Sequence, residues 1–361
     1  MIPITEASVA AFTVPTDGPE SDGTLEWSST TIVIVEVLAG PVRGIGYTYA
    51  HSSIVTLIAD LLLPRIRLRD AMDVTGSWVA MTQAVRNQGR PGLSSMAIAA
   101  VDTALWDLKA RLLDVPLVKL LGAVRDAVPV YGSGGFTSYS VDRLQRQLAG
   151  WVERGIRAVK MKVGRAPAED DFRVRMAREA IGTGTDLFVD ANGAYSANEA
   201  LAHAEAFADA RVTWFEEPVS SDDLEGLRLL RTSAPAAMDI AAGEYGYDLY
   251  YFRRMAEAGA IDVLQADATR CAGITGFLQV GALCDAFNLP LSSHTASALH
   301  LHPCCALPRV RHLEHFYDHE RVERLLFDGV VEPVNGTLRP DLSRPGLGFE
   351  LKRADARRYA A

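Results

Sequence analysis

The sequence predicts an α/β protein: a closed parallel barrel, preceded by a segment that mixes strands and helices. Eight short apolar runs recur between residues 128 and 313, and helical stretches separate most of them. No Gly-rich phosphate fingerprint follows the first of these runs, which argues against an open doubly wound sheet. The 361 residues, 48% hydrophobic and 22% charged, supply enough apolar material for two domains or for one large barrel with an added lobe.

In the first stretch, to about Val124, Thr31–Val37 (TIVIVEV) is rich in β-branched residues and reads as a strand. Before it, Thr13–Ser29 (TVPTDGPESDGTLEWSS) is crowded with Pro, Gly, Asp and Ser and reads as a loop. With few apolar anchors, that loop is expected to be mobile and to order over the barrel mouth on ligand binding. Ser94–Leu113 has apolar residues at helical spacing behind a Ser start, the pattern of an amphipathic helix. Barrel strands are expected at Val128–Ser133, Ala158–Val163, Asp186–Ala191, Val212–Phe215, Met238–Ala242, Ile261–Gln265, Pro290–Ser293 and Val310–Leu313. Helices are expected at Val141–Arg154, Ala168–Ile181 and Ala197–Ala208. Beyond Gly329 the chain turns rich in Pro and Gly and ends in a basic segment. No repeat of solenoid period and no low-complexity segment is found.

Composition narrows the function classes. Net charge is −9 and the 36 basic residues are scattered, so no nucleic-acid partner is expected. No apolar run reaches the roughly 18 residues that a membrane span needs. The start, MIPITEASVAAFTVP, lacks a basic segment followed by an apolar one, so a secretory signal is not expected. Cys271, Cys284, Cys304 and Cys305 show no paired metal spacing, which points to a reducing cytoplasm rather than a disulfide framework.

In parallel barrels the reacting groups sit at the C-terminal ends of strands. Here seven successive runs, from the second to the eighth, end in ionisable residues. Lys160 and Lys162 lie two apart on the second and so face the same side. Asp190 closes the third, Glu216 and Glu217 the fourth, Glu244 the fifth, Asp267 the sixth, His294 the seventh and Glu314 the eighth. A single strand-end carboxylate is usually a helix cap or a solvated group. Seven in succession describe a site, because converging unpaired charges would be too costly. Asp190, Glu216 and Glu244 come from adjacent strands and repel one another unless a cation sits between them. Oxygen-only ligands favour Mg2+, with Mn2+ as a substitute, over zinc. Glu217 is set aside as a partner for a lysine. His300, His302, His312, His315 and His319 crowd one region, but no carboxylate or cysteine set accompanies them in a known ligand spacing, so they are read as packing or solvent-exposed residues.

Taken in order, VKMKVG, VDANGAY, WFEEP, AGE, QAD, SSH and HLE, with the helix segment ALWDLKARLLDVPLVKLLG (Ala104–Gly122), resemble the enolase superfamily and its mandelate-racemase subgroup over nearly the whole chain. The resemblance implies a modified TIM (β/α)7β barrel with an α+β N-terminal capping domain. It divides the chain into a cap over residues 1–124, a catalytic barrel over 125–330 and a segment over 331–361 that returns to the cap. It implies that Asp190, Glu216 and Glu244 hold the metal and that Lys162 is the base on one face of a carboxylate substrate. Lys160 would touch the substrate carboxylate, and His294 would act on the opposite face, oriented by Asp267. Glu314 would donate a hydrogen bond to the substrate carboxylate, and Asn192 would line the site. Two departures stand out. Glu244 lies two residues further from Glu216 than the family pattern has it, and Arg270 stands where a lysine is common. The resemblance also implies a homo-oligomer, a dimer or an octamer.

The implied chemistry is removal of the α-proton of a carboxylate, which creates a dianionic enediolate that the cation stabilises. Lys162 must be neutral to act as a base, and Lys160 and the metal are expected to lower its pKa. Asp267 is expected to fix the tautomer of His294. A lysine on the sixth strand would indicate a muconate cycloisomerase or a dipeptide epimerase, and Asp267 stands there instead. Dehydration of an acid sugar, aldonate or aldarate, to a 2-keto-3-deoxy acid is expected, with racemisation or epimerisation of a 2-hydroxy acid as the alternative. A non-catalytic binding protein would have lost a ligand or a base, and none is lost. Specificity is expected in Thr13–Ser29 and Gly46–His51, with Tyr47, Tyr49 and His51 as candidate contacts to substrate hydroxyls.

Overall fold

In the computed structural model, which describes residues 1–361, the chain opens with an antiparallel sheet of β1 (Glu6–Ser21), β2 (Glu26–Ala39) and β3 (Val42–Tyr49). The predicted strand Thr31–Val37 is the centre of β2. The predicted loop Thr13–Ser29 is corrected: it forms the far half of a long β1–β2 hairpin. Thr13, Val14 and Pro15 pair with Thr31, Thr30 and Ser29, the register shifts before Glu20, and pairing resumes at Glu20–Trp27 and Ser21–Glu26. Prolines are tolerated because β1 is an edge strand and Pro19 falls within the register shift. The hairpin turn is closed by Asp22, whose Oδ1 accepts from the backbone N–H groups of Thr24 and Leu25, both at 2.7 Å.

Alternation along β2 separates two cores. Val33, Val35 and Val37 pack with Ile98, Val101 and Leu105 of the helix Leu93–Leu112, whereas Ile32 and Ile34 join the barrel core. The cap sheet is therefore apolar on both faces.

The barrel strands are β4 (Val128–Gly134), β5 (Ala158–Lys162), β6 (Asp186–Asp190), β7 (Val212–Glu216), β8 (Asp239–Ala242), β9 (Val263–Ala266), β10 (Leu291–Ser293) and β11 (Val310–Phe316). Each pairs in parallel with its sequence neighbours. Leu313–Phe316 of β11 pair in parallel with Val130–Ser133 of β4, which closes the ring. Seven helices make the crossovers, and an eighth, Tyr317–Leu326, follows β11. The result is a (β/α)8 barrel of the modified TIM type with an α+β cap. Near the C-terminus Arg353 ion-pairs with Glu36 of β2, and the Ala361 amide donates to Ala11 O of β1 at 3.0 Å. No helix is long and apolar enough to cross a membrane.

Parity along the strands stacks the barrel interior in layers. Tyr131, Phe188, Trp214, Ala241 and Val263 form one buried apolar cluster, and His312 packs its ring against Tyr131 and Trp214. Two residues further along the same strands come Ser133, Asp190, Glu216, Gln265 and Glu314. An aromatic floor thus lies beneath a charged mouth. The alternate residues, among them Met161, Val189, Phe215 and Leu313, face outward into the helix layer.

Candidate active site

Asp190, Glu216 and Glu244 are buried, and one carboxylate oxygen from each lies within 4.8 Å of the others. Asp190 and Glu216 are the terminal residues of β6 and β7, where they are register partners. Glu244 follows β8 after Gly243, whose φ of +134° and whose approach to Gln265 O (a Cβ would stand 2.1 Å from it) admit no side chain. That turn carries Glu244 to the other two carboxylates despite its longer sequence separation. Burial and the neighbouring Asp190 push Glu216 up to about 8, against the pull of Lys160. A cluster in which one carboxylate prefers to keep its proton is short of positive charge. Together with the all-oxygen donor set, this fits a hard divalent cation.

Lys160 and Lys162 project together from β5, as their spacing predicts. Lys160, with 0% exposure, places Nζ 2.5 Å from Glu216 Oε1, 2.9 Å from Glu314 Oε1 and 3.3 Å from Asp190 Oδ2. Lys162 Nζ lies 2.5 Å from Asp190 Oδ2. The expected lowering of the Lys162 pKa is not what the protein charges produce. Burial works downward most strongly and Lys160 adds to it, but the Asp190, Glu244 and Glu216 carboxylates together outweigh both, so Lys162 is held above its ordinary range. A cation on Asp190 would withdraw that support.

His294 follows β10. Its Nδ1 lies 2.8 Å from Asp267 Oδ2, and its Nε2 is 3.2 Å from Glu244 Oε2. Asp267 is held in turn by the Thr269 amide at 2.7 Å on Oδ1, the fixed dyad that the sequence predicts. Burial alone would lower His294; Glu244 and the bond to Asp267 raise it to about 9. Arg270 stands beside both acids, 3.5 Å from Glu244 and 3.7 Å from Asp267.

Glu314 reaches the site from β11. Burial would raise it; Lys160 foremost brings it down to about 2, so it is ionised. It accepts from the Thr295 amide at 2.8 Å. Asn192, at φ +48°, lines the cavity while its amide N–H donates to Asp190 Oδ1 at 2.9 Å. Glu217 is buried among the same carboxylates, Glu244 foremost, and is not paired with a lysine.

One cavity of about 450 Å³ joins Lys162, Glu244, His294 and Glu314 to the cap. Tyr49 and His51 line it as expected. Tyr47 is corrected: it is fully buried outside the cavity, with its hydroxyl donating to Glu323 at 2.5 Å and its ring stacked on Phe327. Of the clustered histidines, His300, His302 and His312 are packing residues bonded to backbone or Ser292, and buried His315 lies 3.5 Å from Glu320. His319 is the exception, because it reaches the cavity wall while stacked on Tyr49. Sequence reasoning missed Trp27, Thr30, Tyr245 and Asp318, which also line the cavity. Tyr245 directly follows Glu244, and Asp318 lies four residues beyond Glu314 at the start of the helix after β11, so their places just past strand ends were a usable signal.

Residues 143–356 match the family described as "Enolase C-terminal domain-like", and residues 5–122 match "Mandelate racemase / muconate lactonizing enzyme, N-terminal domain". The chain is 35% identical to a 3,6-anhydro-alpha-L-galactonate cycloisomerase of Streptomyces coelicolor, over 85% of each protein. It is 34% identical to an L-talarate/galactarate dehydratase of Salmonella typhimurium, over 92% of this chain and 83% of that protein. Its fold superposes on a mandelate racemase/muconate lactonizing enzyme-like protein from Rubrobacter xylanophilus with a TM-score of 0.97, at 53% identity over 99% of both chains. The chain belongs to the enolase superfamily, in its mandelate racemase/muconate lactonizing enzyme group.

Proposed function

We propose that this enolase-superfamily member is a Mg2+-dependent dehydratase of acid sugars. The observation that carries the reading is a single cavity lined by Lys162 on one strand, His294 on another and Glu244 of the carboxylate triad. Asp190, Glu216 and Glu244 would hold the cation, which supplies positive charge for the oxygens of the enediolate when bound. Lys160, buried and cationic, holds Glu216 and Glu314 in place and offers a fixed charge to the substrate carboxylate. Lys162 and His294 are the proton-carrying groups that reach the cavity beside the triad, 2.5 Å from Asp190 and 3.2 Å from Glu244. One takes the α-proton as the C–H bond breaks. The other gives a proton to the C3 hydroxyl, which leaves as water while its C–O bond breaks. The resulting enol tautomerises to a 2-keto-3-deoxy acid. Asp267 keeps the proton of His294 on a defined nitrogen. The dehydratase of Salmonella typhimurium supports this reading over racemisation.

The test is mass spectrometry on a panel of acid sugars, in Mg2+ and after EDTA. Loss of about 18 mass units, one water, with a carbonyl-specific reagent reporting product, is the expected result. Inversion at C2 with mass unchanged would replace dehydration with racemisation. Full turnover after rigorous metal removal would reject the metal site.

A further inference from the structure

We infer that the cavity selects a sugar acid with a single carboxylate over a dicarboxylate of the same length, and that Asp318 sets this choice. The inference rests on the proposed reading of the site as one for acid sugars. The cavity has two unlike walls. Its only Lys and Arg residues, Lys162 and Arg270, belong to the barrel side, and both are already engaged: Lys162 with Asp190, Arg270 with Glu244 and Asp267. The cap hairpin and the start of the helix after β11 supply the other wall, with Trp27, Thr30, Asp22 and Asp318. That wall brings two carboxylates and no Lys or Arg of its own.

Asp318 is 1% exposed. Its Oδ1 accepts from Arg321 at 2.8 Å, and its Oδ2 accepts from the Thr30 hydroxyl. Arg321 also donates to Pro15 O at 2.7 Å and does not line the cavity, so its charge is committed to Asp318. Neighbouring His319 brings no positive charge, because burial takes it down to about 3. His51 turns Nδ1 to the Ser53 amide. A substrate hydroxyl can donate to a remaining lone pair of Asp318. A second carboxylate only accepts, and on this wall it would meet the carboxylates of Asp22 and Asp318 with no Lys or Arg to receive it.

The full-length protein in Mg2+ is titrated calorimetrically with six-carbon aldonates and with the aldarates of matching stereochemistry. At least one aldonate should bind about tenfold or more tightly than its aldarate. Asp318→Asn should narrow the gap by about tenfold, mainly through tighter aldarate binding. Asp22→Asn serves should Asp318→Asn fail to fold, with a change in the same direction expected. An aldarate that binds native protein as tightly as its aldonate overturns the inference. An unchanged ratio in Asp318→Asn overturns the role of Asp318. Aldonate preference without loss of water sustains the inference and overturns only dehydration, whereas binding of neither class overturns both.

Discussion

Replacing Lys160 with Met should make the protein less stable without metal and more responsive to metal. Lys160 is fully buried and its Nζ contacts three carboxylates, at 2.5, 2.9 and 3.3 Å. At an effective dielectric of about 20, such contacts correspond to roughly 5–7 kcal/mol of attraction each before desolvation. Breaking a buried ion pair on one side costs about 3–5 kcal/mol net. Met fills nearly the same volume, so the loss is electrostatic rather than a cavity. The carboxylates left behind repel one another more strongly and should bind a divalent cation more tightly than in the native chain. Saturating metal at 100 times its Kd returns about 2.7 kcal/mol. Thermal unfolding in EDTA and in a Mg2+ series reads both effects. Lys160→Met should show a lower Tm in EDTA and a larger Tm rise with Mg2+ than native protein, while turnover is lost. An equal or smaller metal response would refute the argument that lysine and cation share these carboxylates.

His294→Asn should reduce turnover by about 10²-fold or more, measured by product formation. Deuterium exchange at the α-carbon that persists in this variant assigns the base to Lys162, and exchange lost with turnover assigns it to His294. In EDTA, stability should fall as pH rises toward 9. His294 is raised from 6.5 to about 9, and Glu216 from 4.5 to about 8, so each contributes stability present below its ordinary value and lost as pH climbs through the raised one. A flat Tm between pH 6.5 and 9 in EDTA would contradict this, and Mg2+ should shrink the slope. Gly23→Ala should lift the hairpin turn from the barrel, because a Cβ there would stand 2.2 Å from Ala191 O. KM should rise several-fold and hydrogen exchange of residues 20–27 should quicken; unchanged exchange would mean that the turn does not seat there.

The barrel was legible because its strands end in charges and because alternation fixes which residues share a face. Lys160 with Lys162 could be read from spacing alone, and Asp267 with His294 from the family resemblance. The hairpin was not. Pro15, Gly18 and Pro19 imitate a loop, and only pairing with β2 shows that an edge strand with a shifted register absorbs them. Tyr47 and Tyr49 share a strand face, but parity does not say which of them reaches the cavity. Thr30 and Asp318 meet across 288 residues, a contact that no local pattern announces. The ionised state of Glu314 was equally hidden, since it depends on Lys160 reaching over from β5.

The layered interior also acts as a reading frame for folding. A one-residue slip in strand pairing would turn Lys160, Asp190, Glu216 and Glu314 into the apolar helix layer, and Met161, Val189, Phe215 and Leu313 into the mouth. Unpaired charges in that layer would cost several kcal/mol each. The groups that carry the chemistry therefore also reject wrong alignments of the barrel. Relatives that lose their activity by neutralising the mouth should then gain alternative, misregistered states, even where each single change relieves repulsion in the native one.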